Sequence, residues 1–77
     1  MSLQIILFGQ LADMTKSAVI AVDEAADTDT LIKRLHQLYP AMANTKFVIA
    51  VDKQVVNVNT ALTANSNIAL LPPFSGG

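Results

Sequence analysis

The residues whose order suggests chemistry close the chain: Pro72, Pro73, Phe74, Ser75, Gly76 and Gly77, reading PPFSGG. Glycine makes up about 7% of an average protein, so a closing pair arises by chance roughly once in two hundred chains. The two prolines take the chain off a sheet edge and hold it extended, and Phe74 adds one apolar anchor. Six residues from Pro72 onward reach at most about 20 Å. The glycines then make the last stretch thin enough for a narrow channel and pliant enough for strained geometry. Beyond them lies only a carboxylate. That group is inert at neutral pH until another enzyme activates it, for example as an acyl-adenylate, after which a nucleophile such as sulfide can be loaded. A frayed terminus has no need to be stiff first and bare last. This pattern points to a working carboxylate on Gly77.

The rest of the 77 residues offers no competing centre. Without cysteine there is no disulfide framework, thiolate metal site or cysteine nucleophile. The single histidine, His36, makes no metal cluster, and beside Lys33 and Gln37 it reads as a solvated side chain at the edge of a helical stripe. Asp13, Asp23, Glu24, Asp27, Asp29 and Asp52 fall mostly in loops or at a helix start, where capping and solvation account for them. No serine sits in a nucleophile elbow, and the three glycines form no phosphate loop. Asn59 and Thr60 read as turn residues. Neither a metal nor a bound cofactor is expected.

A small sheet and one helix must hold this tail. Gln4–Phe8 is a β-rich run with apolar residues on both faces, as in a central strand, and Gly9 breaks it. Residues 10–15 read as a connection, and residues 17–22 as a strand close enough to form a hairpin with the first. In the stretch DTDTLIKRLHQLYP, Leu31, Ile32, Leu35, Leu38 and Tyr39 follow the spacing of one helical stripe. Asp27 or Thr28 caps its start, Asp29 suits the positive end of its dipole, and Pro40 stops it. Residues 46–51 form another strand, 52–54 a turn, 55–58 a short strand, 65–67 a turn and 68–71 a final strand. Pro72 and Pro73 end that strand because neither has an N–H to give to a ladder. The order β-β-α-β-β-β describes an α+β domain: a mixed sheet with one main helix packed across one face.

The composition allows one domain and little more. A net charge of −1 marks no nucleic-acid surface, and no apolar run approaches the roughly 20 residues of a membrane span. The start lacks the basic and small-residue signature of a signal peptide, so a cytoplasmic protein is expected. Charged residues make up 14%, against about 25% in ordinary soluble domains. Two explanations fit: a surface carried by Asn, Thr, Gln and Ser, or an apolar face that another protein covers. One helix covers only one face of a sheet whose strands read apolar on both sides. That favours the covered face.

Taken together, the run ILFG at residues 6–9, AVD at residues 50–52, Leu62, Ala69 and above all PPFSGG at residues 72–77 resemble the small subunits of molybdopterin synthase, ubiquitin-like β-grasp sulfur carriers. The resemblance spans nearly the whole chain. It implies a β-grasp domain over residues 1–71 and an extended tail over residues 72–77. It also implies that an adenylating enzyme of the ubiquitin-activating kind forms an acyl-adenylate on Gly77, which a sulfur donor converts to a thiocarboxylate, the covalent modification that stands in place of a cofactor. Pro72, Pro73, Phe74, Ser75 and Gly76 would then thread the tail into the large synthase subunit. That subunit would carry the catalytic residues and accept the sulfur into a pyranopterin precursor, so this chain is no enzyme on its own. Thiamine-pathway sulfur carriers share fold and diglycine but usually lack the Pro-Pro. A ubiquitin-like protein modifier uses the same activated glycine, and a plain ubiquitin-like interaction module needs no chemistry at Gly77. Ala12 and Asp13 stand where the family often has Arg-Glu, Asp52 where it commonly has Asn, and Asn65, Ser66 and Asn67 replace an acidic turn.

Overall fold

Alternation in the first strand orients the whole sheet. In the computed structural model, which describes residues 2–73, β1 (Ser2–Leu7) buries Leu3, Ile5 and Leu7 and turns Ser2, Gln4 and Ile6 outward. It pairs antiparallel with β2 (Val19–Asp23) on one side and parallel with β5 (Ile68–Leu71) on the other. On its far side β5 pairs antiparallel with β3 (Val48–Val51), which forms a hairpin with β4 (Gln54–Val56). The spatial order is β2-β1-β5-β3-β4, so the last strand of the chain is the middle strand of the sheet.

The inner face is closed by α2 (Thr28–Leu38), whose Leu31 and Leu35 are fully buried with Leu3, Ile5, Ile68 and Leu70. This mixed sheet with one main helix across one face is the arrangement expected from the element order, and it is the ubiquitin-like β-grasp that the resemblance implies. Of the two candidate caps, Asp27 is the one used: its side chain accepts a 2.9 Å hydrogen bond from the Thr30 N–H. Pro40 ends it and opens a 3₁₀ helix, Pro40–Asn44, which tucks Met42 into the core. The β3–β4 turn places Asp52 and Lys53 at φ 51° and 70°. Two consecutive left-handed residues give a turn whose twist matches its hairpin.

One segment departs from the sequence reading. Residues 10–15 are not a mere connection but a short helix, α1 (Gln10–Thr15), with Leu11 fully buried. Six residues make too few turns to show a helical period, and an isolated helix of that length is unstable in water. Packing of Leu11 supplies what propensity cannot. The strand limits also shift: β2 begins at Val19 rather than residue 17, and β4 ends at Val56, leaving Val58 outside the ladder. Among the described residues no helix is long and apolar enough to cross a membrane.

Candidate functional site

The tail begins where β5 runs out, and the neighbours of β5 determine where that is. Because β1 and β5 are parallel, their C-terminal ends lie at the same edge of the sheet. The Phe8 N–H donates to the Leu70 carbonyl at 3.1 Å, continuing the ladder to the end of the strand. Pro72 then lies over Gly9, the residue after Phe8: a β-carbon on Gly9 would stand only 2.9 Å from Pro72 Cγ. Gly9 holds φ 58° and ψ −136°, a region essentially reserved for glycine. Pro73 is half-buried and faces the other way, into a depression bordered by Phe47 and His36. The two prolines are therefore seated on the domain rather than free of it. Phe74, Ser75, Gly76 and Gly77, the remaining site residues expected from sequence, lie outside the described residues.

Around this exit the outer sheet face is apolar. Register places Val19, Ile6, Ala69, Ala50 and Val55 side by side across all five strands. Val19, Ile6 and Val55 are each between 44% and 48% exposed, which leaves apolar surface open on this face. Phe8, at 47% exposure, and Leu71 and Val48 beyond it carry the apolar surface towards the exit of the tail. The far half of the face, at Ser2, Gln4 and Asp23, is polar or charged. An apolar patch that ends at the exit of a bare tail suits a partner that grips the domain and takes the tail in together.

The acidic side chains near the start of α2 serve the helix. Among the described residues no group of three or more His, Cys, Asp or Glu side chains could hold a metal. Asp27 has its carboxyl held below the usual range by hydrogen bonds from Thr30, then from Asn59, with Lys33 nearby. Those are the bonds of a helix cap. Asn59, read from sequence as a turn residue, belongs to the same cap. Its Oδ1 accepts from the Asp29 N–H at 2.9 Å while its Nδ2 donates to Asp27 Oδ2 at 3.3 Å. Thr60 N–H donates to Thr28 Oγ1 and Thr28 N–H returns a bond to the Thr60 carbonyl. Partners some thirty residues apart leave no periodic trace in a sequence.

Residues 5–77, the tail included, match the model of the ThiS family. The chain belongs to the ThiS family of β-grasp sulfur carriers. Within the family's wider range it is 32% identical, over 96% of its own length and 94% of the relative's, to the molybdopterin synthase sulfur carrier subunit of Dictyostelium discoideum. Its fold is similar to that of the crystal structure of SAMP1 from Haloferax volcanii, with a TM-score of 0.78 and 24% identity over 100% of both chains. It is also similar to the solution structure of small archaeal modifier protein 1 from Methanosarcina acetivorans. There the TM-score is 0.81 at 18% identity, over 99% of this chain and 96% of that one. At such identities the two structures establish the fold alone. Membership in this family makes the chain a small sulfur carrier, a non-catalytic subunit.

Proposed function

We propose that this ThiS-family carrier is the small subunit of a molybdopterin synthase, with the Gly77 carboxylate as its reactive group. The observation that carries the reading is the placement of Pro72: a diglycine tail leaves the middle strand of the sheet, braced at Gly9, beside an apolar face suited to a large partner. In this scheme the carboxylate attacks the α-phosphate of ATP, pyrophosphate leaves, and a sulfur donor then displaces AMP to leave a thiocarboxylate. The tail enters the large subunit, where the sulfur passes to a pyranopterin precursor and water hydrolyses the acyl group left behind, supplying the oxygen that restores the carboxylate. The Dictyostelium relative and the Pro72–Pro73 pair support this pathway over a thiamine-type one.

Deleting Gly77 tests the reading. The new terminus keeps the same carboxylate but is shorter by about 3.3–3.6 Å, and a misplacement near 1 Å costs on the order of a hundredfold in rate. The truncated chain should fold and bind the large subunit yet fail to support synthesis. Intact protein incubated with its activating enzyme, ATP and a sulfur source should gain the mass of one oxygen-for-sulfur exchange. Full activity of the truncation with no mass change would reduce the chain to an interaction module. Lysine conjugates without pterin synthesis would make it a protein modifier.

A further inference from the structure

The open sheet has two edges, and they differ. β4 offers only the three residues Gln54–Val56. β2 offers five, Val19–Asp23, paired with β1 in one unbroken register and containing neither lysine nor proline. Brevity, bulges, proline and charge keep an edge from taking another strand, and β2 has only Asp23, at its last position. The Leu7 N–H donates to the Ala18 carbonyl at 2.8 Å. Antiparallel alternation then turns the backbone groups of Ile20 and Val22 towards β1 and those of Val19, Ala21 and Asp23 away from it. The Val19 groups are occupied locally: the Ser17 hydroxyl donates to its carbonyl at 2.7 Å and accepts from its N–H at 3.4 Å. Among the described residues, that leaves Ala21 and Asp23 as the open positions of the strand.

Between this edge and α2 lies a groove of about 200 Å³, lined on one side by Ala21, Val22 and Asp23 and on the other by Arg34, Gln37 and Leu38. Arg34 and Leu38 stand one turn apart on the same side of the helix. Leu38 is 56% exposed. Arg34 is half-buried, and its Nε is buried with no hydrogen-bond partner among the described residues. A guanidinium stays charged, and a buried donor left unpaired is costly. Alternation along β2 puts the Asp23 side chain on the outer face of the sheet with Val19 and Ala21, so the charge on the helical side of the groove is that of Arg34.

We propose that an extended segment of a partner protein pairs with β2 as a sixth strand and turns towards α2 an apolar side chain for Leu38 and a carboxylate for Arg34. The backbone of the segment answers the open groups of Ala21 and Asp23, and its alternate side chains give the specificity. Those side chains are about 6.6 Å apart, close to the rise of about 6 Å from Arg34 to Leu38, so an acidic and an apolar residue separated by one other reach both. A second copy of this chain fits less well. In a two-fold β2–β2 pairing the side chains on the helical side are Ile20 and Val22, which are buried in their own core and bring no acid. Antiparallel pairing sets Val19 level with the tail exit and Asp23 at the other end of the sheet. The open positions lie towards that other end, so the segment and a partner at the tail bind together. This docking does not rest on the proposed function.

Amide and methyl NMR spectra of the full chain, titrated with the end-blocked heptapeptide Thr-Val-Thr-Val-Thr-Asp-Thr, test the pairing. The Ala21 and Asp23 amides should shift and exchange more slowly with solvent, and the Leu38 methyl signals should move with them. Asparagine in place of the peptide's aspartate should weaken binding about two- to tenfold, the range of one hydrogen bond, and so should Arg34→Met in the protein. The two changes together should weaken it little further, because both remove the same contact. Ala21→Pro removes an N–H that β1 does not use and should abolish binding in protein whose α2 and β5 signals are unchanged. No shifts at millimolar peptide, shifts confined to Ile6 and Ala69 on the outer face, or additive losses from the two changes would each overturn the proposal. Edge shifts that appear on concentrating the protein without peptide assign the edge to a second copy and overturn it too.

Discussion

Pro72 rests on Gly9, two residues sixty-three positions apart whose contact leaves no room for a side chain on the glycine. Gly9 ends β1, sits at a positive φ, and turns the chain into α1. In doing so it also forms the surface on which the tail starts. Gly9→Val should destabilise the domain by roughly 1–3 kcal/mol, since a β-branched residue is strained there and also overlaps the proline ring. Gly9→Ala should cost less. Denaturant midpoints check both. The fraction of folded Gly9→Val protein should still bind the large subunit proposed above but load sulfur more slowly, because Pro72 must move.

Asn59 carries a second long-range constraint. Asn59→Ala removes an acceptor from the Asp29 N–H and a donor to Asp27, and should cost about 0.5–1.5 kcal/mol. Asn59→Asp keeps the acceptor but sets a second negative charge against Asp27, so it should fall between wild type and alanine at neutral pH. Urea unfolding of the three proteins orders them.

The same cap predicts a pH response. The carboxyl of Asp27 is held below its ordinary value of 3.8, chiefly by Thr30 and then by Asn59. A group whose pKa is lower in the folded state than in the unfolded one stabilises the fold fully above its unfolded pKa. That contribution is lost as pH falls through the depressed folded value. Melting temperature should therefore decline on acidification from about pH 5 towards pH 2, and Asp27→Asn should flatten the part of that decline that belongs to the cap. An unchanged slope in the variant would remove Asp27 as its source.

On the outer face, Ile6 lies between Val19 and Ala69 in the apolar row. Ile6→Glu points its charge into water in the free domain, so unfolding should change by less than about 1 kcal/mol. Affinity for the proposed large subunit should fall more than about tenfold, the equivalent of about 1.4 kcal/mol. Calorimetric titration of the folded variant measures it. Unaltered affinity would place the interface elsewhere.

Much of this fold is readable from local pattern. The stripe Leu31, Ile32, Leu35 and Leu38 defines α2, Asp27 and Pro40 mark its ends, and Pro72 stops β5 at Leu71 because it has no N–H to donate. The terminus proposed as reactive is likewise a reading of local pattern, stiffness followed by two bare residues. These features depend on neighbours within a turn or two of helix or strand, and short-range sterics and hydrogen bonding act on any chain with those residues. Other features depend on which distant segments meet. Only the tertiary structure makes β5 the middle strand, brings Val19, Ile6, Ala69, Ala50 and Val55 into one row, clamps α2 through Asn59, and gives the six residues of α1 a core to pack on. Strand order and register follow from burying one face of every strand against a single helix at once, and a sum over the whole chain leaves no signature in any one stretch of it.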